Sequence, residues 1–282
     1  MRFKYLIIAF SIIIVIIILV TAFLPLMFAS SVSKSNPEAI SNFRIVTLPL
    51  LIFMALLLGG MSLFFSLNYR LLSLLEREDW PALAYYLEQK IYTKGKYSSR
   101  YVRLLASSYL VITDYQSVIK LEGKTMLARP SSVTKNFLIF GSARVLSGNH
   151  TEAAAFFKTI LVKNKDKLKP KNEQWARWYY GFSLLLKGIF KEAEPEFGAL
   201  AATSSDAMIT GLSAYFLNNS IAKNSDDKNA CLVSAEKGKE RVIQALKNET
   251  GWKKEVTKNG SDIHIAIIRK YIEETGQWIF KE

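Results

Sequence analysis

One order of residues is written three times between Tyr101 and Leu200, and it dictates helices in pairs. The middle copy reads Phe140-Gly141, a turn at Ser147-Gly148-Asn149, then Ala153 and Phe157. The copy after it reads Tyr180-Gly181, Lys187-Gly188, Ala193 and Phe197. The copy before it reads Val102, Leu105-Ala106, Tyr109, Val118 and Pro130. The residues that follow each turn, Val118, Ala153 and Ala193, are separated by steps of 35 and 40 residues. A period near this length with a turn in its middle describes a helix–turn–helix unit, and such a unit buries its apolar face only by stacking on its neighbours. Ala106, Gly141 and Gly181 are expected where the two helices of a pair cross closely, opposite Ala153 and Ala193. Phe157 and Phe197 are expected to fill the gap between pairs.

These spacings follow the W-x2-L-G-x2-Y…A-x3-F…P pattern, so the segment resembles the tetratricopeptide repeat (TPR) family. The departures are specific. Glu122 stands at the second-helix aromatic position of the first copy, and Arg144 and Leu184 stand at the tyrosine position of the next two. Arg177 replaces an apolar opener, and Pro130 alone supplies the closing proline. TPR-like is therefore the closer word than TPR, with Sel1-type or irregular α-α repeats as the alternatives. The resemblance implies an all-α, TPR-like α-α solenoid with hairpins at about 67–95, 100–130, 135–165, 174–205 and 207–248, closed by a C-terminal capping helix at about 261–280. It also implies a concave groove lined by the first helix of each pair. Its candidates are Arg103, Ser107 and Leu110, then Leu138, Ser142 and Val145, then Trp178, Phe182 and Leu185. A groove basic at one end and aromatic at the other suits a partner protein or peptide with an acidic end and an apolar anchor. The Lys and Asn set with which TPR-like chaperone adaptors grip a C-terminal carboxylate is not matched, so that ligand class is not carried over.

The front of the chain belongs to a different solvent. Tyr5 to Ser33 carries no charge, and neither does Ile45 to Tyr69. A helix of about 20 apolar residues spans a bilayer, so spans are expected at about 5–28 and 45–69, with Ala29 to Arg44 as a polar connector and Pro49 in the first turn of the second. The apolar part of the first is too long for a cleavable signal. Residues 1–69 then form a two-helix transmembrane anchor, and 70–282 the repeat domain. Arg2 and Lys4 at one end and Arg70, Arg77, Lys90, Lys94 and Lys96 at the other place the repeat domain on the cytoplasmic side of a bacterial inner membrane by the positive-inside rule.

The formal charge is +13, mostly from residues beyond Tyr69, which favours acidic partners or an anionic membrane surface. Lys163, Lys165, Lys167, Lys169 and Lys171 are the candidates for lipid contact, and a lipid-binding or lipid-sensing membrane protein is the alternative to a protein-binding scaffold. No aromatic residue interleaves among these lysines for base stacking, so nucleic acid is not an expected partner.

No phosphate loop, nucleophile elbow or His-Glu-x-x-His pattern occurs, and an enzymatic role is not expected. With His150, His264 and Cys231 as the whole His and Cys content, no metal site and no cofactor are expected. Adjacent carboxylates at Asp226-Asp227 and Glu273-Glu274 point about 100° apart on a helix and make poor acid/base pairs. Towards the end, Cys231, Ala235, Gly238, Val242 and Ala245 share one helical face, and Ile265, Ile268 and Ile272 share another, with Ser261 as the expected cap.

Overall fold

The computed structural model describes residues 12, 16, 17, 37–163, 168–260 and 262–280. The described chain is all-α, and among the described residues there is no strand. It divides into two compact units, residues 1–86 and 87–282.

The first unit contains a 40-residue helix, α1 (Pro37–Glu76). It begins inside the stretch expected to be a connector, because Pro37 suits a first helical position and Glu38 suits the first turn. Pro49 therefore lies within the helix rather than in its first turn. The segment Ile52–Glu76 is long and apolar enough to cross a membrane, and no residue of its most apolar stretch is buried by protein, although Leu71 near its end is. The expected span at 5–28 falls outside the described residues apart from Ile12, Ile16 and Ile17. Asp79 starts α2 (Trp80–Glu88), its carboxylate accepting from the Ala82 N–H at 3.1 Å.

The second unit is a succession of paired helices. They are α3 (Ser99–Val111) with α4 (Tyr115–Ala128), α6 (Phe137–Leu146) with α7 (His150–Lys163), α8 (Pro170–Leu186) with α9 (Phe190–Thr203), and α10 (Ala207–Phe216) with α11 (Lys228–Leu246). A short helix, α5 (Pro130–Lys135), links the first two pairs. The first helices touch in order, α3 to α6, α6 to α8 and α8 to α10, and each second helix packs on the helices before and after it. Three helices follow: α12 (Glu249–Asn259), α13 (Ile263–Ile267) and α14 (Arg269–Phe280).

The turns carry the sequence period into geometry. Gly148 and Gly188 both have positive φ, 77° and 75°, a conformation that costs glycine nothing. At the corresponding place in the first pair Thr113 is forced to φ 61°. The next residue opens the second helix: Asp114 accepts from Ser117 N–H at 3.1 Å and Asn149 from Glu152 N–H at 3.2 Å. A Cβ on Gly141 would run into the Phe157 ring, and one on Gly181 would lie 3.5 Å from Phe197, so the same glycine–phenylalanine crossing occurs in both pairs.

Two departures from the pattern meet each other. Glu122 of α4 accepts from Arg144 of α6 at 2.5 Å, with both side chains almost buried, and the Arg144 guanidinium lies over the Phe156 ring. Burial raises the Glu122 carboxyl above its usual range, and Arg144 opposes that shift. Arg177, the other misfit, reaches Glu173 on its own helix and Glu196 on α9.

The end of the chain differs from a simple end cap. The expected helix at 261–280 is broken at Ile268, which caps α13, and Ser261 lies outside the described residues. Ile265, Ile268 and Ile272 are buried as their spacing predicts, and so are Cys231, Ala235, Gly238 and Val242, while Ala245 is exposed. α13 packs on α6 and α14 packs on α10, so this segment runs along the first helices instead of covering the last pair alone. Tyr271 meets Phe182 and Phe216 at 5.4 and 5.3 Å between ring centres, and Trp252 and Ile279 close over Gly211.

Candidate functional site

A cleft of about 360 Å³ remains where α3, the start of α6 and the start of α8 meet the turn from α12 to α13. Its position follows from local structure. Pro130 opens α5, and the Asn136 amide then donates to Ser99 O and Ser132 O at 3.1 and 2.8 Å, which fixes where α6 begins. Pro170 opens α8 after Lys169 in an extended conformation. Asn259 donates to Glu255 O at 2.9 Å and accepts from Lys171 Nζ at 2.9 Å, anchoring the turn to α8. Lys171 also reaches Asp206 at 3.0 Å. Arg103 of α3 donates to Asp262, and Tyr179 of α8 donates to His264 O at 2.9 Å.

Charge in the lining is mostly positive: Arg103, Lys135 and Lys171 against Asp262. Trp175, Phe137 and Leu138 supply apolar wall. His264 lines the cleft, lies edge-on to Trp175 with ring centres 5.1 Å apart, and is 6% exposed. Its Nε2 is buried and has no hydrogen-bond partner. Burial pushes its pKa down to about 4; Arg103 and Lys171 push the same way, and Asp262 and Asp206 oppose them. His264 is therefore neutral near pH 7.

The groove residues expected from the sequence fare unequally. Arg103 is exposed and Leu138 half-buried, and both line the cleft. Ser107 and Leu185 are half-buried, and neither lines it. Leu110, Ser142, Val145, Trp178 and Phe182 are buried, which corrects their reading as partner-facing side chains. The reason is packing. Trp178 stacks on Phe182 at 5.0 Å between ring centres and packs against Phe197 and Phe216, while Tyr271 of α14 covers Phe182. Of the lysine run, Lys163 and Lys169 are exposed, Lys171 lines the cleft, and Lys165 and Lys167 lie outside the described residues. Asn136, Trp175, Asn259, Asp262 and His264 were not among the candidates. Trp175 shares a helix with Trp178, but no periodicity announces the return of a segment 159 residues beyond Arg103.

The adjacent carboxylates each make a contact of their own. Asp227 caps α11 at Ala230 N–H, Asp226 pairs with Lys191, Glu273 with Arg269, and Glu274 accepts from Tyr215 Oη. Among the described residues no three His, Cys, Asp or Glu side chains gather as a metal site would require.

A protein-family model described as "Uncharacterised Treponema protein" matches residues 117–281. A Treponema pallidum (strain Nichols) protein, itself described as uncharacterized, is 26% identical over 220 residues, covering 76% of this chain and 69% of its own length.

Proposed function

This chain belongs to that Treponema family, and from this premise we propose that it is a membrane-anchored, TPR-like repeat scaffold that recognises a partner protein and catalyses no reaction. The N-terminal apolar stretches form its two-helix anchor, and the repeat domain lies on the cytoplasmic face of the inner membrane. The recurring glycine–phenylalanine crossing and the ordered contacts of first helices support the repeat. One observation carries the recognition site: first helices of three successive pairs converge on a polar cleft, while α13 packs on α6 and α14 packs on α10. This reading places recognition at the mouth bearing Arg103, Lys135 and Leu138. A photo-crosslinking residue placed at the exposed Lys135, and separately at the exposed Glu240 on α11 as control, tests this in membranes of the organism that makes the protein. A protein band specific to position 135 is expected. Identical patterns from both positions would contradict the reading.

A second reading has its own observation. Val162, 74% exposed, ends α7 beside Lys163, and Leu127, 90% exposed, ends α4 near Arg129. Apolar tips among cations suit an anionic bilayer surface. Under this reading Val162→Ser and Leu127→Ser weaken additional binding to phosphatidylglycerol vesicles, and added salt weakens it further.

A further inference from the structure

We propose that the cleft binds a phosphate-type oxyanion carried on a small organic body, a proposal that rests on the reading of the cleft as the recognition site. Three cations face one carboxylate in its lining. Arg103 already holds an oxyanion there, the Asp262 carboxylate, and Lys135 has no ion pair among the described residues. Two helices of 10 and 17 residues, α6 and α8, start at the cleft with no side chain capping their first N–H groups. Unsatisfied N–H groups at a helix start, together with the helix dipole, favour an anion.

His264 is the second, independent observation, a buried side chain in the cleft lining whose Nε2 has no hydrogen-bond partner. A buried ring nitrogen without a partner costs stability, and a bound hydrogen-bond acceptor would recover that cost. Neutral His264 is able to offer Nε2–H to an oxyanion, and a bound anion would offset the burial that now disfavours its protonation, as Asp262 already does in part. The titratable and charged groups facing it are Asp262 on its own segment, Arg103 from α3, Lys171 from α8, and Asp206, which starts α10. Trp175 and Leu138 give the organic body an apolar wall, and about 360 Å³ falls within the size range of small-molecule sites, roughly 300–1,000 Å³.

The chain holds two histidines, so each gives one imidazole signal. The full chain, in nanodiscs of zwitterionic lipid, is labelled at histidine and titrated with inorganic phosphate, then with phenyl phosphate, then with vesicles of phosphatidylglycerol. The His264 resonance is expected to move with saturation and its pKa to rise, while His150 stays unchanged. Lys135→Glu, at an exposed site, is expected to weaken phosphate binding at least tenfold, and Trp175→Leu to weaken phenyl phosphate more than inorganic phosphate. Response to vesicles alone assigns the oxyanion to a lipid head group, and response to the soluble probes assigns it to a small molecule. If none of the three moves His264 at millimolar concentration, the anion site is wrong. A position-specific crosslink at residue 135 would then still uphold the protein-recognition reading.

Discussion

At the scale of the residue, three side-chain positions decide most. Gly141 has no room for a Cβ because the Phe157 ring occupies that space, whereas Gly123 on the same paired array faces open space. Gly141→Ala is expected to destabilise by about 1–3 kcal/mol through overpacking. Gly123→Ala is expected to stabilise by about 0.5–1 kcal/mol through helix propensity. Thermal unfolding of both variants checks the pair of signs. Thr113→Gly should add about 1 kcal/mol, since it relieves a β-branched residue at positive φ. His264 gives a pH prediction. Its folded pKa lies below the unfolded value near 6.5, so the unfolded state binds the extra proton between that pH and about 4. Stability is then fully present above about pH 6.5 and falls as the pH drops towards 4. In His264→Gln that part of the acid dependence should vanish when unfolding is followed over this range. The crossing glycines were legible in the sequence because a small residue before a recurring spacing has one economical use. The place of His264 in the cleft was not, because it depends on what α8 brings to it.

At the scale of the element, the helix pairs were legible from period and turn chemistry, down to the left-handed position shared by Thr113, Gly148 and Gly188. The departures at Glu122 and Arg144 looked like decay when each was read in its own copy. Their meaning lies in the space between α4 and α6, where they form one nearly buried pair. Arg144→Met alone, or Glu122→Leu alone, should cost about 3–5 kcal/mol because a charge is left buried without its partner. The double variant should recover most of that loss, since two apolar side chains of similar volume need no partner. Denaturant unfolding of the two single variants and the double one measures the coupling. Equal, additive losses would mean that the pair contributes nothing jointly. The lysine run between α7 and α8 shows the opposite limit. Charge spacing predicted a surface, and Lys171 is exposed, but its pairing with Asn259 and Asp206 is set by where α8 begins.

At the scale of the whole molecule, the N-terminal apolar stretches and the all-α character could be read from composition and periodicity. The fate of the expected groove could not. An apolar stripe on α8 states that something covers it and leaves open whether that is a partner or the chain itself. Here His264 of α13 packs on Trp175 and Tyr271 of α14 covers Phe182, while the polar cleft around Arg103 and Lys171 stays open. The proposed anchor makes its own prediction: the protein should remain with the membrane after alkaline carbonate washing, and release into the supernatant would count against it. The return of the C-terminal segment along the first helices is the claim on which the cleft, its charge and its selectivity all depend. Arg103 and Asp262 form an exposed ion pair, whose removal costs little, so Arg103→Cys with Asp262→Cys leaves the fold intact. Cys231 is buried and should react slowly. The direct measurement treats this full-length variant in membranes with a short bis-maleimide and maps the linked peptides by mass spectrometry. The account predicts rapid, intramolecular linkage of position 103 to position 262; both thiols capped singly, with no link between them, would contradict it.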